Sequence, residues 1–110
     1  MVRCNRSQKV LHMARIGSRM HPGRVLREEY MEPLHLDANG LALALGVTAG
    51  RIEPLIADRE PLTSDLALRL ARCFRTSPQF WLGLQSAYDL SVAQARFGAE
   101  IEAHVQPMAA

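Results

Sequence analysis

Metal-binding side chains are sparse and widely spaced in this chain of 110 residues. Its four histidines are His12, His21, His35 and His104. No two of them are four residues apart, and none has a cysteine at the spacing of a zinc site. The sequence therefore predicts no metal site.

Two other groups could support catalysis. Cys73 could serve as a nucleophile beside a distant histidine, but its place late in an apolar helical pattern is typical of a buried packing thiol. Glu28, Glu29 and Glu32 could act as a general acid and base, but a solvated helix face is the simpler interpretation. The sequence has no glycine-rich loop for a phosphate group. We therefore predict a protein that is not an enzyme, needs no cofactor and takes no small-molecule substrate.

The composition limits the class of protein. Hydrophobic residues make up 48% of the chain and charged residues 22%, as in an ordinary globular protein, and this length has room for one core. No apolar run approaches the ~20 residues needed to cross a bilayer, and the N-terminus lacks the apolar stretch of a secretory signal. Cys4 and Cys73 lie in unlike contexts, which favours a reduced protein without disulfides. We predict a cytoplasmic protein without membrane contact.

Positive charge is concentrated at the N-terminus. Residues 1–20 contain five basic residues and no acid, whereas residues 21–110 contain eight arginines against eleven acids. A disordered basic arm can hold DNA phosphates. Two plainer interpretations stay open: a solvated tail, or a true start at Met20, which directly precedes the ordered pattern.

Apolar periodicity and helix-capping residues predict five helices and no strand. The expected helix starts are Pro22, Asp37, Thr48, Thr63 and Ser77. The first helix is expected to end at Pro33 and the second at Gly46, and the fifth continues through Phe97 toward Ile101. The prediction is one all-α domain over residues 21–103, after the basic arm, with a frayed tail at 104–110.

The stretch from Asp37 to Asp58 has the pattern of a helix-turn-helix. Gly46 supplies the turn, and Ala42, one helical turn earlier, is small enough to let the two helices touch. The apolar residues expected to be buried are Leu41, Leu45, Val47, Ile52 and Leu55. We take Ala42, Gly46, Val47, Ile52 and Leu55 as the residues that define the fold, a five-helix lambda-repressor-like bundle with an extended C-terminal helix.

In such a motif the second helix enters the major groove of DNA. Arg51 is the one outward side chain there that can make a bidentate contact with guanine, and Thr48 can bond a base or a phosphate. Asn39 and Arg59 are candidates for phosphate contacts. The predicted DNA-binding residues are Asn39, Thr48, Ala49, Gly50, Arg51, Glu53 and Arg59.

Longer motifs point to a known family. They are His21-Pro22-Gly23, Glu32-Pro33-Leu34, Asn39, Leu41-Ala42, Ala44-Leu45-Gly46-Val47, Arg51-Ile52, Ala67-Leu68-Arg69-Leu70-Ala71-Arg72, Thr76-Ser77-Pro78, Phe80-Trp81-Leu82 and Leu84-Gln85-Ser86-Ala87-Tyr88-Asp89-Leu90. With these residues the chain resembles the HigA-type antitoxins of the XRE-like helix-turn-helix family. The resemblance implies a dimer that binds its own operator, represses transcription and neutralises a RelE-like mRNA-cleaving toxin.

Several positions depart from the family pattern. Leu43 stands where relatives tend to have a basic residue, and Ala38 where they tend to have glutamine. Pro54 interrupts the recognition helix, and Asp58 and Glu60 would face and repel phosphates. Two alternatives therefore stay open: a toxin-binding protein with weakened operator recognition, and a stand-alone regulator.

The fifth helix has an aromatic stripe that is expected to be core, with Trp81 beneath the fourth helix. A bundle this small cannot bury every apolar residue of so long a helix. Tyr88, Val92 and Phe97 are therefore candidates for the contact within a homodimer.

Overall fold

A computed structural model describes residues 20–109 of the chain, and every regular element in that range is helical. The first helix, α1, consists of an α-helical part (Pro22–Val25) and a π-helical segment (Leu26–Met31). It is followed by α2 (Ala38–Leu45), α3 (Ala49–Ile56), α4 (Ser64–Phe74) and α5 (Pro78–His104). The predicted all-α helix-turn-helix bundle is confirmed. The predicted basic arm lies outside the described residues, apart from Met20, which packs against the core.

The first helix differs from the prediction in its second half. The Glu32 N–H donates to the Arg27 carbonyl at 3.0 Å, which is a bond across five residues. This widened spacing brings residues five apart onto one face, so Leu26 and Met31 are both buried. An ideal α-helix would turn Met31 away from Leu26. The π-helical segment ends at Met31 and not at Pro33, because residues 32–35 form a turn.

Side-chain caps fix three of the helix starts. Asp37, Thr63 and Ser77 each accept a hydrogen bond from the N–H three residues later, at 2.7, 3.3 and 3.0 Å. Thr48 occupies the N-cap position of α3, but its hydroxyl makes no capping bond. The Arg51 N–H donates instead to the Thr48 carbonyl at 3.0 Å. The predicted start is right, and the predicted hydroxyl cap is wrong.

An aromatic cluster centred on Trp81 forms one part of the core. Its ring is fully buried and lies 5.0 Å from Tyr30 and 5.1 Å from Phe80, measured between ring centroids. The indole N–H donates to the Thr76 hydroxyl at 2.7 Å, so its one polar atom is satisfied. Because Phe74 of α4 packs against Tyr30 at 4.8 Å, the cluster joins α1, α4 and α5.

The first half of α5 packs on the bundle and the second half projects from it. Gln85 is buried; its Oε1 accepts the Leu62 N–H at 2.7 Å and its Nε2 donates to Asp89 at 2.8 Å. This fixes α5 to the loop before α4. With 27 residues α5 is about 40 Å long, and most residues after Val92 are exposed. None of the described helices combines the length and apolarity needed to cross a bilayer.

Candidate nucleic-acid interface

The turn between α2 and α3 is closed by its own backbone and by α4. Gly46 has a φ of 70°, a left-handed conformation that glycine adopts without strain. The Val47 N–H donates to the Ala42 carbonyl at 3.0 Å, which ends α2. From α4, Arg69 Nη1 donates to the Leu45 carbonyl at 2.8 Å. The relative position of the two helices is therefore fixed.

The residues that define the turn lie as predicted, with one difference. Ala42, Ile52 and Leu55 are buried, whereas Val47 is only partly buried at the edge of the core. The sequence pattern treated Val47 as a fully buried position. Val47 directly follows the exposed Gly46 at the turn.

The N-terminal end of α3 presents most of the predicted DNA-binding residues to solvent. Thr48, Gly50, Arg51 and Glu53 are exposed there, and Asn39 and Arg59 are exposed on the neighbouring segments. Ala49 differs, because it is partly buried and packs against the core. The side chains that can reach a ligand at this end of α3 are thus Thr48, Arg51 and Glu53.

Arg51 is held by an acid on another helix. Its Nη2 donates to Asp65 Oδ2 at 2.8 Å, and Arg69 Nε donates to the same oxygen at 3.1 Å. These bonds, from Arg51 first and then from Arg69, lower the pKa of the Asp65 carboxyl. A single carboxylate therefore links the recognition helix, α4 and, through Arg69, the turn.

The C-terminal end of α3 is held by α1. The Arg27 guanidinium donates to the Ile56 carbonyl, where a cation also complements the helix dipole. Asp58 follows in a left-handed conformation with a φ of 60°. Its Oδ1 lies 3.8 Å from Arg27 Nη1 and 3.5 Å from His21 Nδ1. The carboxylate that was expected to face DNA phosphates thus lies beside Arg27 and His21 with 37% of its side chain exposed.

Gly23 permits this close contact between α1 and α3. A Cβ atom at this position would lie 1.9 Å from the Leu55 carbonyl oxygen, well inside van der Waals contact. His21, just before it, is buried and accepts the Gly23 N–H at 2.9 Å. The His21-Pro22-Gly23 motif therefore lies directly against the end of the recognition helix.

Pro54 lies within α3 without shortening its start. The helix runs from Ala49 and ends at Ile56, two residues after the proline. The missing N–H leaves the Gly50 carbonyl without its usual partner, and Gly50 is exposed, so water can reach this turn. The Pro54 carbonyl accepts the Arg59 N–H at 2.9 Å, which closes the helix.

Asp65 and Arg69 were not identified from the sequence as part of this site. Their spacing of four residues at the start of a helix is a signal for an ion pair. Nothing local indicates that the same carboxylate reaches Arg51, which is fourteen residues earlier in the chain. That contact depends on where the bundle places the start of α4 relative to the N-terminal end of α3.

The candidate dimer residues lie in different environments. Tyr88 is partly buried and packs edge-on against His21 at 5.0 Å, whereas Val92 and Phe97 are exposed. Leu90 and Ile101, which the sequence did not single out for this role, are 59% and 53% exposed. Because Leu90, Phe97 and Ile101 are seven and then four residues apart, they share one face of α5.

The other candidate chemistry has no support in the described part of the chain. Residues 20–109 contain no group of three or more acidic, histidine or cysteine residues that could hold a metal ion. Cys73 is exposed, so the expected buried packing thiol is wrong. Partial desolvation nevertheless raises the pKa of its thiol, which disfavours the nucleophilic thiolate.

Comparisons with known proteins agree with this geometry. No family model matches the chain. Virulence-associated protein I of Dichelobacter nodosus is 47% identical over 75 residues, which cover 68% of this chain and 69% of that protein. Antitoxin HigA-1 of Vibrio cholerae is 34% identical over 86 residues, 78% of this chain and 80% of that protein.

Solved structures give the same result. The Pseudomonas aeruginosa antitoxin HigA with the higBA promoter has a TM-score of 0.80 and 37% identity over 83% of this chain and 99% of that chain. Antitoxin GraA in complex with its operator has a TM-score of 0.78 and 42% identity, over 83% of this chain and 92% of that chain. These similarities cover more than three quarters of this chain, and so this chain belongs to the HigA-type antitoxins, a non-enzymatic branch of the helix-turn-helix regulators.

Proposed function

We propose that this chain is a DNA-binding antitoxin of a type II toxin–antitoxin pair and that it represses its own operon. The observation that supports this most is the exposed N-terminal end of α3, mounted on a fixed helix-turn-helix. Related HigA and GraA structures of the same fold are complexes with promoter and operator DNA. The site acts by binding, not by chemistry.

On DNA, α3 enters the major groove with its N-terminal end first. Arg51 contacts a guanine edge, and the Thr48 hydroxyl, which no capping bond occupies, contacts a base or a phosphate. Gly50 and Ala49 allow the backbone to come close, and Glu53 accepts from a cytosine amino group. Asn39 and Arg59 bind phosphates on either side. Both acids of this loop, Asp58 and Glu60, are exposed, and the Asp58 carboxylate lies beside His21 and Arg27.

The chain acts as a homodimer in this proposal, because an operator with two half-sites needs two recognition helices. The apolar face of Leu90, Phe97 and Ile101 on the projecting half of α5 supports such a contact. Tyr88 and Val92, four residues apart, lie on the opposite side of α5 from this face, where Tyr88 packs against His21 at 5.0 Å.

The second partner we propose is a RelE-like toxin that cleaves mRNA, which the antitoxin blocks in the cytoplasm. Two exposed leucines, Leu43 at 84% on α2 and Leu68 at 60% on α4, offer apolar surface for another protein. They also favour the second candidate function, a toxin-binding protein with weakened operator recognition. A stand-alone regulator is the third.

Titration of the full chain onto its own promoter and onto random DNA, at low and moderate salt, tests the proposal. We expect promoter binding about 1,000-fold or more tighter than random binding, with affinity falling as salt rises. Equal affinity for both DNAs would contradict the repressor function.

The toxin partner is tested with the product of the adjacent gene. A short basic toxin-like frame there should yield a protein that co-purifies with this chain and loses its mRNA-cleaving activity in the complex. Promoter binding without such a partner would support the third candidate function, a stand-alone regulator. Toxin binding without promoter preference would establish the second candidate.

A further inference from the structure

Arg51 is tied to the turn of the helix-turn-helix through two side chains of α4. Its guanidinium donates to Asp65 at 2.8 Å, and Arg69 donates to the same Asp65 oxygen at 3.1 Å. Arg69 in turn donates to the Leu45 carbonyl at 2.8 Å. Arg51 is thus connected by hydrogen bonds to the backbone that sets the angle of the recognition helix.

We propose that Asp65 is the positioning residue that holds Arg51 in the orientation in which it reads guanine. This inference rests on the proposed function, since it requires that Arg51 contacts operator DNA. A guanidinium has five N–H donors, and a bidentate contact with guanine needs two of them. One donor bonds Asp65 in the structure, so the contact with Asp65 leaves enough donors for the base.

The charges around Arg51 favour a role for Asp65 in positioning Arg51 over a role in keeping DNA away from it. Arg51, Asp65 and Arg69 together have a net charge of +1, so the carboxylate does not make this surface repel phosphates. The Arg51–Asp65 pair is also half exposed, at 45% and 50%, and an exposed ion pair holds too weakly to keep DNA out. Such a pair can restrict the long Arg51 side chain before DNA binds, so that less conformational entropy is lost on binding.

The test compares discrimination, not affinity alone. Each G·C pair of the promoter half-sites is replaced by A·T, and binding is measured for the wild type and for Arg51→Ala. The base pair whose replacement weakens binding by the wild type but not by Arg51→Ala is the one that Arg51 contacts. In the wild type we expect this replacement to weaken binding by roughly 5- to 150-fold.

If Asp65 orients Arg51, Asp65→Asn should reduce the discrimination at that base pair by about fivefold or abolish it. Affinity for random DNA should stay equal or rise, because one negative charge is removed near the phosphates. Asp65→Asn should have no further effect on discrimination in the Arg51→Ala background. Asp65→Glu, which keeps the charge but moves the carboxylate, should lie between the wild type and Asp65→Asn.

Glu60→Gln is the matched control, because it removes one exposed acid near α3 without touching Arg51. It should strengthen promoter and random DNA binding alike and leave the discrimination unchanged. Thermal unfolding of each variant checks that the fold is kept, and Asp65→Glu serves if Asp65→Asn unfolds.

The outcomes separate this inference from the proposed function. If the wild type does not prefer its promoter, the proposed function fails and this inference falls with it. If the wild type prefers its promoter and Asp65→Asn keeps the full discrimination, the inference is wrong and the function stands. Tighter promoter binding by Asp65→Asn with undiminished discrimination would also overturn it, since Asp65 would then compete with DNA for Arg51.

Discussion

At the residue scale, Asp65 makes the stability of the fold sensitive to acid. Two arginines, Arg51 and Arg69, lower the pKa of its carboxyl in the folded chain. A group with a lowered folded pKa stabilises the fold above its unfolded pKa, and this contribution is lost as the pH falls through the folded pKa. The loss therefore falls below about pH 4.

Thermal unfolding between pH 5 and pH 2 measures this effect. We expect the wild type to lose more stability than Asp65→Asn over that range, because the amide cannot be protonated in this way. Glu60→Gln should lose about as much stability as the wild type over the same pH range. Parallel curves for the wild type and Asp65→Asn would show that the two arginine contacts do not stabilise the fold.

The sequence predicts the role of a residue well when its partner is nearby in the chain. Asp37, Thr63 and Ser77 cap the helices they precede, as the sequence predicts. Thr48 was misread as a hydroxyl cap, and the contact of Asp58 could not be predicted because it depends on how the chain folds back. Asp58 meets His21, which is 37 positions earlier, and the Arg51 N–H meets the Thr48 carbonyl in place of its hydroxyl.

At the element scale, the recognition helix depends on its neighbours. α3 is only eight residues long and contains both Gly50 and Pro54, which are poor helix formers. Its C-terminal end is held from outside, by Arg27 at the Ile56 carbonyl and by the close approach of Gly23 to Leu55. The orientation of α3 is therefore a property of α1 as well as of the turn.

Gly23→Ala tests this dependence. The added Cβ would lie 1.9 Å from the Leu55 carbonyl oxygen, so α1 and α3 must separate. We expect the free energy of unfolding to fall by about 1–3 kcal/mol and promoter affinity to fall with it. Denaturant unfolding and promoter titration measure the two effects.

Gly83→Ala is the matched control for the same substitution. No atom lies within 4 Å of a Cβ at Gly83, which is in the interior of α5. This variant should be unchanged or more stable by up to ~1 kcal/mol. If both variants behave alike, the contact between Gly23 and Leu55 does not position α3.

The helices of the bundle could be predicted because each has its own start residue and apolar pattern. The π-helical segment could not, because its bonds across five residues depend on burying Leu26 and Met31 together. The same limit applies to the site. The exposed end of α3 followed from placing Ile52 and Leu55 inward, whereas the bond from Arg51 to Asp65 depends on where the tertiary fold places the start of α4.

At the scale of the whole molecule, α5 is the part that the bundle leaves uncovered. The described part of the chain measures 54 Å along its longest axis and 21 Å along its shortest. Leu90, Phe97 and Ile101 line one face of the helix beyond the core. A second copy of the chain would bury this face and bring two recognition helices onto one operator.

Phe97→Glu tests the dimer. A charge in an apolar contact between two copies is costly, so we expect this variant to be monomeric at concentrations where the wild type is dimeric. Ala99→Glu places the same charge on the opposite side of α5, seven residues after Val92, and so shows which of the two faces forms the contact. Light scattering after size-exclusion chromatography gives the masses. A monomeric wild type, or a dimeric Phe97→Glu, would contradict the proposed interface.

In the proposed function the N-terminal end of α3 reads operator DNA through Arg51. Comparing Arg51→Ala with Arg72→Ala on the chain's own promoter and on random DNA tests it most directly. Arg72 is also an exposed arginine, on α4 and two helical turns beyond Asp65, so both variants lose the same charge. We expect Arg51→Ala to lower the preference for the promoter by at least about fivefold, and Arg72→Ala to leave that preference unchanged. An equal preference in the two variants would contradict the claim.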